Sequence, residues 1–162
     1  MDNSENVVSA PGTVNLGNQT YLVDKFTTAS VFAVYEWGTE QAKKTYNPFK
    51  EVCDALEGLS VTPEQKAQLL GQAHQVKVAG EVPADQITKC LRSKEGVAFQ
   101  LWILTRKHHP ELTFEACKAA ITDDNRLDVY VQLDVASGAN IVNKAIIESG
   151  FFPQASLAKT TG

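Results

Sequence analysis

Helix starts punctuate this chain more densely than any other signal. Asn47-Pro48 pairs a capping side chain with a proline at the first helical position. Thr62-Pro63-Glu64-Gln65 goes further, because Gln65 at the third position completes a capping box. Pro83 opens another helix, and Thr113 caps a fourth, with Glu115 in its first turn. Starts spaced 15 to 30 residues apart leave no room between them for the strands of a large sheet. The chain is therefore expected to be mainly α.

Hydrophobic spacing fills in the helices between those starts. Val31, Val34, Tyr35 and Ala42 follow helical steps, interrupted by Gly38, and predict a helix over 27–45. The helix opened by Pro48 carries Phe49, Val52, Cys53 and Leu56 on one face and ends near Gly58. The next is expected to run to about His74, with VKVAGEV as a looser stretch. Ile87, Cys90, Leu91, Val97, Ala98, Leu101 and Leu104 repeat at three- and four-residue steps, which predicts one long helix over 83–108, bent near Gly96. Arg106, Lys107, His108 and His109 then fall in its last turn, where cations complement the helix dipole, and Pro110 stops it.

Two stretches read differently. In TVNLGNQTYLVDKF, Val14 and Leu16 alternate with polar residues, Gly17-Asn18 offers a turn, and Thr20 to Val23 favour a strand. This predicts a short hairpin, too small to stand alone, that leans on the domain or on a partner. LDVYVQLDV, residues 127–135, alternates strictly like a strand, yet Thr122, Asp123 and Asp124 look like a helix start and Gly138 like a helix stop. Helix is favoured, with Leu127, Tyr130, Val131 and Val135 as its apolar face, and strand stays open. The expected organisation is a flexible leader over 1–12, a hairpin plus helical domain over 13–140, and a C-terminal arm over 141–162.

Composition narrows the function classes. The 162 residues suffice for one domain with a real core, and 43% hydrophobic content is ordinary for a globular chain. A net charge of −4, with a single dense basic cluster at Arg106–His109, argues against direct nucleic-acid binding. No apolar run reaches membrane-spanning length, and MDNSENVVSAPG has no apolar core for a secretory signal. Cys53, Cys90 and Cys117 are scattered and odd in number, which predicts buried thiols in a reducing compartment.

Chemistry-bearing patterns are sparse. His108 and His109 are adjacent, so on a helix they diverge by about 100°, whereas a shared metal prefers histidines one turn apart. The cluster reads as a helix end. Asp123-Asp124 is explained by capping, and GxSxG, Walker, GxGxxG and DxDxDG patterns do not occur. No catalytic residue, cofactor or metal is expected. Trp37 and Trp102 read as core or interface packing rather than as a small-molecule pocket. Residues IVNKAIIESGFFP place Ile141, Val142, Ala145 and Ile146 on one helical face, followed by Phe151 and Phe152. That segment can close the domain's own core or dock on another chain, and these six residues are the candidate partner-binding set.

Residues 95–121, EGVAFQLWILTRKHHPELTFEACKAAI, resemble the tail assembly chaperones of long-tailed bacteriophages. The positions that carry the likeness are Trp102, Arg106, Lys107, Pro110, Glu111, Leu112, Thr113 and Phe114. GTVNLGNQTYLV is similar to the short hairpin with which many such proteins begin. His108-His109 departs from the small or polar residues of that pattern, and the FFPQ tail has no counterpart in it. The resemblance implies a non-enzymatic morphogenesis protein of the host cytoplasm that holds the tape measure chain and recruits tail-tube subunits. The alternative it brings with it is a virion protein of the head–tail connector or tail, oligomeric, whose terminal arms dock on neighbouring subunits.

Overall fold

The computed structural model describes residues 10–139; residues 1–9 of the expected leader and the candidate partner-binding residues Ile141, Val142, Ala145, Ile146, Phe151 and Phe152 lie outside them. A two-stranded antiparallel hairpin, β1 (Gly12–Leu16) and β2 (Gln19–Val23), precedes seven helices among the described residues. These are α1 (Thr28–Thr45), α2 (Pro48–Leu56), α3 (Pro63–Ala79), α4 (Ala84–Leu91), α5 (Lys94–Thr105), α6 (Phe114–Ala120) and α7 (Arg126–Ser137). The fold is mainly α with a small β-hairpin, as the sequence predicts.

Helix α5 is the hub, packed by α1, α4, α6, α7 and β2. Its buried residues include Val97, Ala98, Leu101, Ile103 and Leu104, so it is apolar on nearly every side, as a central helix must be. Val14, Val23, Cys117, Ile121, Val129, Leu133 and Ala136 close around it. Two buried hydroxyls within this core are paired with backbone carbonyls. Thr105 Oγ1 donates to the Leu101 carbonyl at 2.7 Å, and Ser137 Oγ to the Leu133 carbonyl at 2.6 Å.

The hairpin leans on α5 and α7. Val14 and Val23 are fully buried beneath it. Gln132 of α7 treats β1 as a neighbouring strand would, accepting from Asn15 N at 2.7 Å and donating to Asn15 O at 3.2 Å. Beyond β2, Asp24 N donates to the Leu104 carbonyl and Phe26 N to the Ser137 carbonyl. Gly12 is required where β1 meets α7, since a Cβ there would lie 2.6 Å from both Cβ and O of Ala136.

Residues 83–108 depart from the expected single helix. The chain breaks at Arg92-Ser93, and α4 and α5 turn against one another. Ser93 is the cause: its hydroxyl accepts from Gly96 N at 3.1 Å and donates to the Cys90 carbonyl at 2.6 Å, capping one helix while closing the other. Gly96 lets the two helices meet, and buried Gln100 satisfies the Leu91 carbonyl at 2.9 Å. The basic cluster consequently lies just past the end of α5, with Arg106 as its C-cap, rather than in its last turn.

Other boundaries follow the caps. Thr62 and Gln65 exchange the two capping-box bonds, and Asn47 Oδ1 accepts from Phe49 N and Lys50 N. Helix α1 runs through Gly38 without interruption, and α3 continues past His74 to Ala79, because no breaker occurs until Gly80 adopts the left-handed conformation. Helices α2 and α3 pack on each other as a hairpin set apart from the α5 core. Cys53 is exposed there and Cys90 half-buried, so of the three thiols expected in the core only Cys117 is fully buried. A two-helix arm buries a single narrow face, and Cys53 lies off it.

Segment 127–135 is helical. Its buried face is Val129, Leu133 and Ala136 with half-buried Tyr130, while Leu127, Val131 and Val135 stand 68%, 52% and 71% exposed. The expected face is thus corrected. Strict alternation wrapped on a helix makes two apolar stripes, and the hairpin and α5 cover only one of them.

Candidate interaction surface

The hairpin over 12–23 and the stretch 95–121 meet at one place, the junction of the hairpin with the α5–α6 turn. His108 Nε2 lies 2.7 Å from Asp24 Oδ1, and Lys107 Nζ lies 4.0 Å from the same carboxylate. His109 Nε2 accepts from Leu22 N at 3.0 Å, while its Nδ1 faces Glu111 Oε1 at 3.4 Å. Tyr21 packs edge-on against the His109 ring at 5.3 Å. The two histidines are therefore clasps between β2 and the end of α5, a role beyond the helix terminus expected for them. Among the described residues no group of three or more His, Cys, Asp or Glu side chains is placed to hold a metal ion.

Four half-buried aromatic rings adjoin this junction. Trp37 of α1 stacks on Phe99 of α5 at 4.9 Å and 11°, Phe99 meets Phe114 of α6 edge-on at 5.7 Å, and Trp102 lies 6.0 Å from Phe114. Two cations rim the cluster: the Arg106 guanidinium sits 5.9 Å from the Trp102 ring, and Lys118 Nζ 5.6 Å from Phe114. The inner edges of Trp102 and Phe114 pack on the core and their outer edges reach the surface. Such a surface suits contact with another protein, since large rings anchor interfaces at low entropic cost. The sequence singled out Trp37 and Trp102; Phe99 was legible only as the residue one turn before Trp102.

Cys117 lines an open groove of about 500 Å³ between the hairpin and α6, together with Leu16, Tyr21, Leu112 and Ala116. Burial pushes its thiol from the ordinary 9.0 to about 11, so it is protonated and a poor nucleophile at neutral pH.

The second exposed apolar feature is the outer stripe of α7, Leu127, Val131 and Val135, three of the four residues expected to form that helix's apolar face. No helix among the described residues is long and apolar enough to cross a membrane. No protein-family model, curated protein or solved structure matches the chain.

Proposed function

We propose that this protein is a non-enzymatic phage morphogenesis factor that works by protein–protein contact, as a tail assembly chaperone of the host cytoplasm. It would hold the tape measure chain and recruit tail-tube subunits, without cofactor or metal. The observation that carries this reading is the contact between the two resembling stretches. Hairpin 12–23 and the α5–α6 turn lie far apart in sequence, yet they are clasped by His108–Asp24 and His109–Leu22. The half-buried rings of Trp102 and Phe114, with Arg106 over Trp102, give the junction an aromatic, cation-rimmed face for a partner. Ile141, Val142, Ala145, Ile146, Phe151 and Phe152 are proposed as a second contact, on the segment that follows α7.

The exposed stripe on α7 favours one further reading, an oligomeric virion subunit of the connector or tail whose arms seat on its neighbours. Mass spectrometry of purified particles separates the two. A chaperone is missing from particles and co-purifies with the tape measure chain from infected cells, whereas a virion subunit is present at fixed copy number. Co-purification with neither class of phage protein would overturn both.

A further inference from the structure

We infer that the groove between the hairpin and α6 takes one extended, uncharged peptide segment of another protein, which joins β2 as a third strand. In an antiparallel pair, facing residues alternate between bonding one another and pointing their N–H and C=O groups outward. Asn15 N and O are both engaged by Gln132, so Asn15 and its partner Thr20 are an outward-pointing pair. Thr13 and Leu22, two positions along, are the next such pair, and Leu22 N points out to His109 Nε2. An open strand edge invites pairing, and this hairpin covers most of its own. Gln132 covers β1 at Asn15, and His109 takes the Leu22 N–H of β2. Thr20 is left over. It is exposed, and among the described residues neither its N–H nor its C=O has a partner.

The groove runs along this bare stretch. Gln19 and Tyr21, on either side of Thr20, form one wall, and Ala116 and Ala119 of α6 form the other. Leu101 and Cys117, 1% and 0% exposed, lie at its floor. Among the described residues no charged side chain lines it, so a charged segment would lose water there without compensation. A residue of strand occupies about 160 Å³, from a rise of about 3.3 Å, a strand spacing of about 4.8 Å and a layer thickness of about 10 Å. The groove's 500 Å³ therefore admits about three residues, the length of Gln19–Tyr21.

The two walls decide the occupant. Whatever pairs with Thr20 must fit between β2 and α6. A second copy would bring its own β2 backed by β1 and α7, which is too broad for a slot closed on its far side by a helix. A helix spends its backbone groups on itself and offers none to Thr20. A single extended chain is one strand wide and carries free donors and acceptors along both edges. Pairing through the backbone supplies the attraction, and the alternate side chain that faces Leu101 supplies the selectivity. This slot is separate from the aromatic face around Trp102, and it stands whether or not the protein serves a phage.

Tethering tests this without the natural segment. In a Cys53→Ser, Cys90→Ser background, Ala119→Cys on the groove wall is joined by a disulfide to the peptide acetyl-Thr-Val-Thr-Val-Thr-Gly-Gly-Cys-amide. Hydrogen exchange of the Thr20 amide should slow by about tenfold or more. An analogue N-methylated through the Thr-Val stretch keeps the side chains, loses the donors and should leave that exchange unchanged. The amides of Asn15 and Leu22, already bonded, should exchange alike in both adducts, which shows that the hairpin stays docked. Gln19→Cys, exposed on the opposite wall, is the second attachment point if Ala119→Cys unfolds the protein. Equal Thr20 exchange in the two adducts would overturn the inference. So would protection of Thr20 before any peptide is attached: if it grows with protein concentration, a second copy fills the edge, and if it is the same at every concentration, the chain itself does.

Discussion

Gly96→Ala distinguishes two ways of folding residues 83–108, and the two predict opposite signs. In a continuous helix, alanine for glycine stabilises by roughly 0.8–1.0 kcal/mol. In the structure the added methyl would lie 2.2 Å from the Cys90 carbonyl oxygen, 2.6 Å from the Leu91 oxygen and 2.7 Å from the Leu91 carbonyl carbon. These are backbone atoms in the last turn of α4, so no side-chain rotation relieves the clash and α4 must move relative to α5. Overpacking of this kind costs about 1–3 kcal/mol. Moving α4 also stretches the 2.9 Å bond from Gln100 Nε2 to the Leu91 carbonyl, which is buried and worth about another 1 kcal/mol. Set against the propensity gain, the expected loss is about 1–3 kcal/mol. For a domain of this size each kcal/mol moves Tm by about 2–4 °C, so Tm should fall by roughly 2–12 °C. Urea and thermal unfolding followed by far-UV circular dichroism read this directly. A variant as stable as wild type, or more so, would refute the close approach of α4 and α5.

Leu101→Ala and Leu104→Ala, both at side chains 1% exposed, should each cost about 2–5 kcal/mol in denaturant unfolding; under about 1 kcal/mol would mean that the core face of α5 is misassigned. His108→Gln with His109→Gln should destabilise by about 1–2 kcal/mol and speed exchange of the Leu22 amide hydrogen, and stoichiometric zinc lost in that double variant would instead revive a metal role. The Cys117 thiol, raised by burial to about 11, adds stability that is complete below its unfolded value near 9 and is lost as pH rises through 11. The stability difference between wild type and Cys117→Ala should therefore shrink over that window, and a constant difference would contradict the burial. A thiol reagent at neutral pH should label Cys53 in the folded protein and Cys117 only on unfolding.

Local chemistry made most helix starts legible. Thr27, Asn47, Thr62 and Thr113 each cap through their own side chain, using atoms two or three residues away, so nothing about tertiary structure is needed to predict them. The break at Arg92-Ser93 uses the same chemistry and was still hidden. Ser93 stands inside an apolar repeat that continues on both sides of it, and the repeat is genuine: Ile87 and Leu91 face α1, and Val97, Leu101 and Leu104 face the core. Periodicity reports that each residue is buried, not that all are buried against the same neighbour. Gly96 was the clue, and its meaning depended on the Cys90 carbonyl that approaches it.

The interaction surfaces were harder to read, for a related reason. A pattern identifies apolar positions, and only packing divides them between core and surface. LDVYVQLDV supplies two stripes of similar hydrophobicity on α7, and no local feature distinguishes Val129 and Leu133, which are buried, from Val131 and Val135, which are not. The hairpin decides: Gln132 bonds the Asn15 backbone and Gly12 fits against Ala136, which rotates α7 so that Val129 and Leu133 turn inward. That rotation also makes the outward stripe a consequence of the hairpin's docking. Loosening the hairpin, as the histidine double variant should, would therefore weaken whatever docks on Leu127, Val131 and Val135, although the polar partners of both histidines among the described residues lie on the hairpin side and the α5–α6 turn.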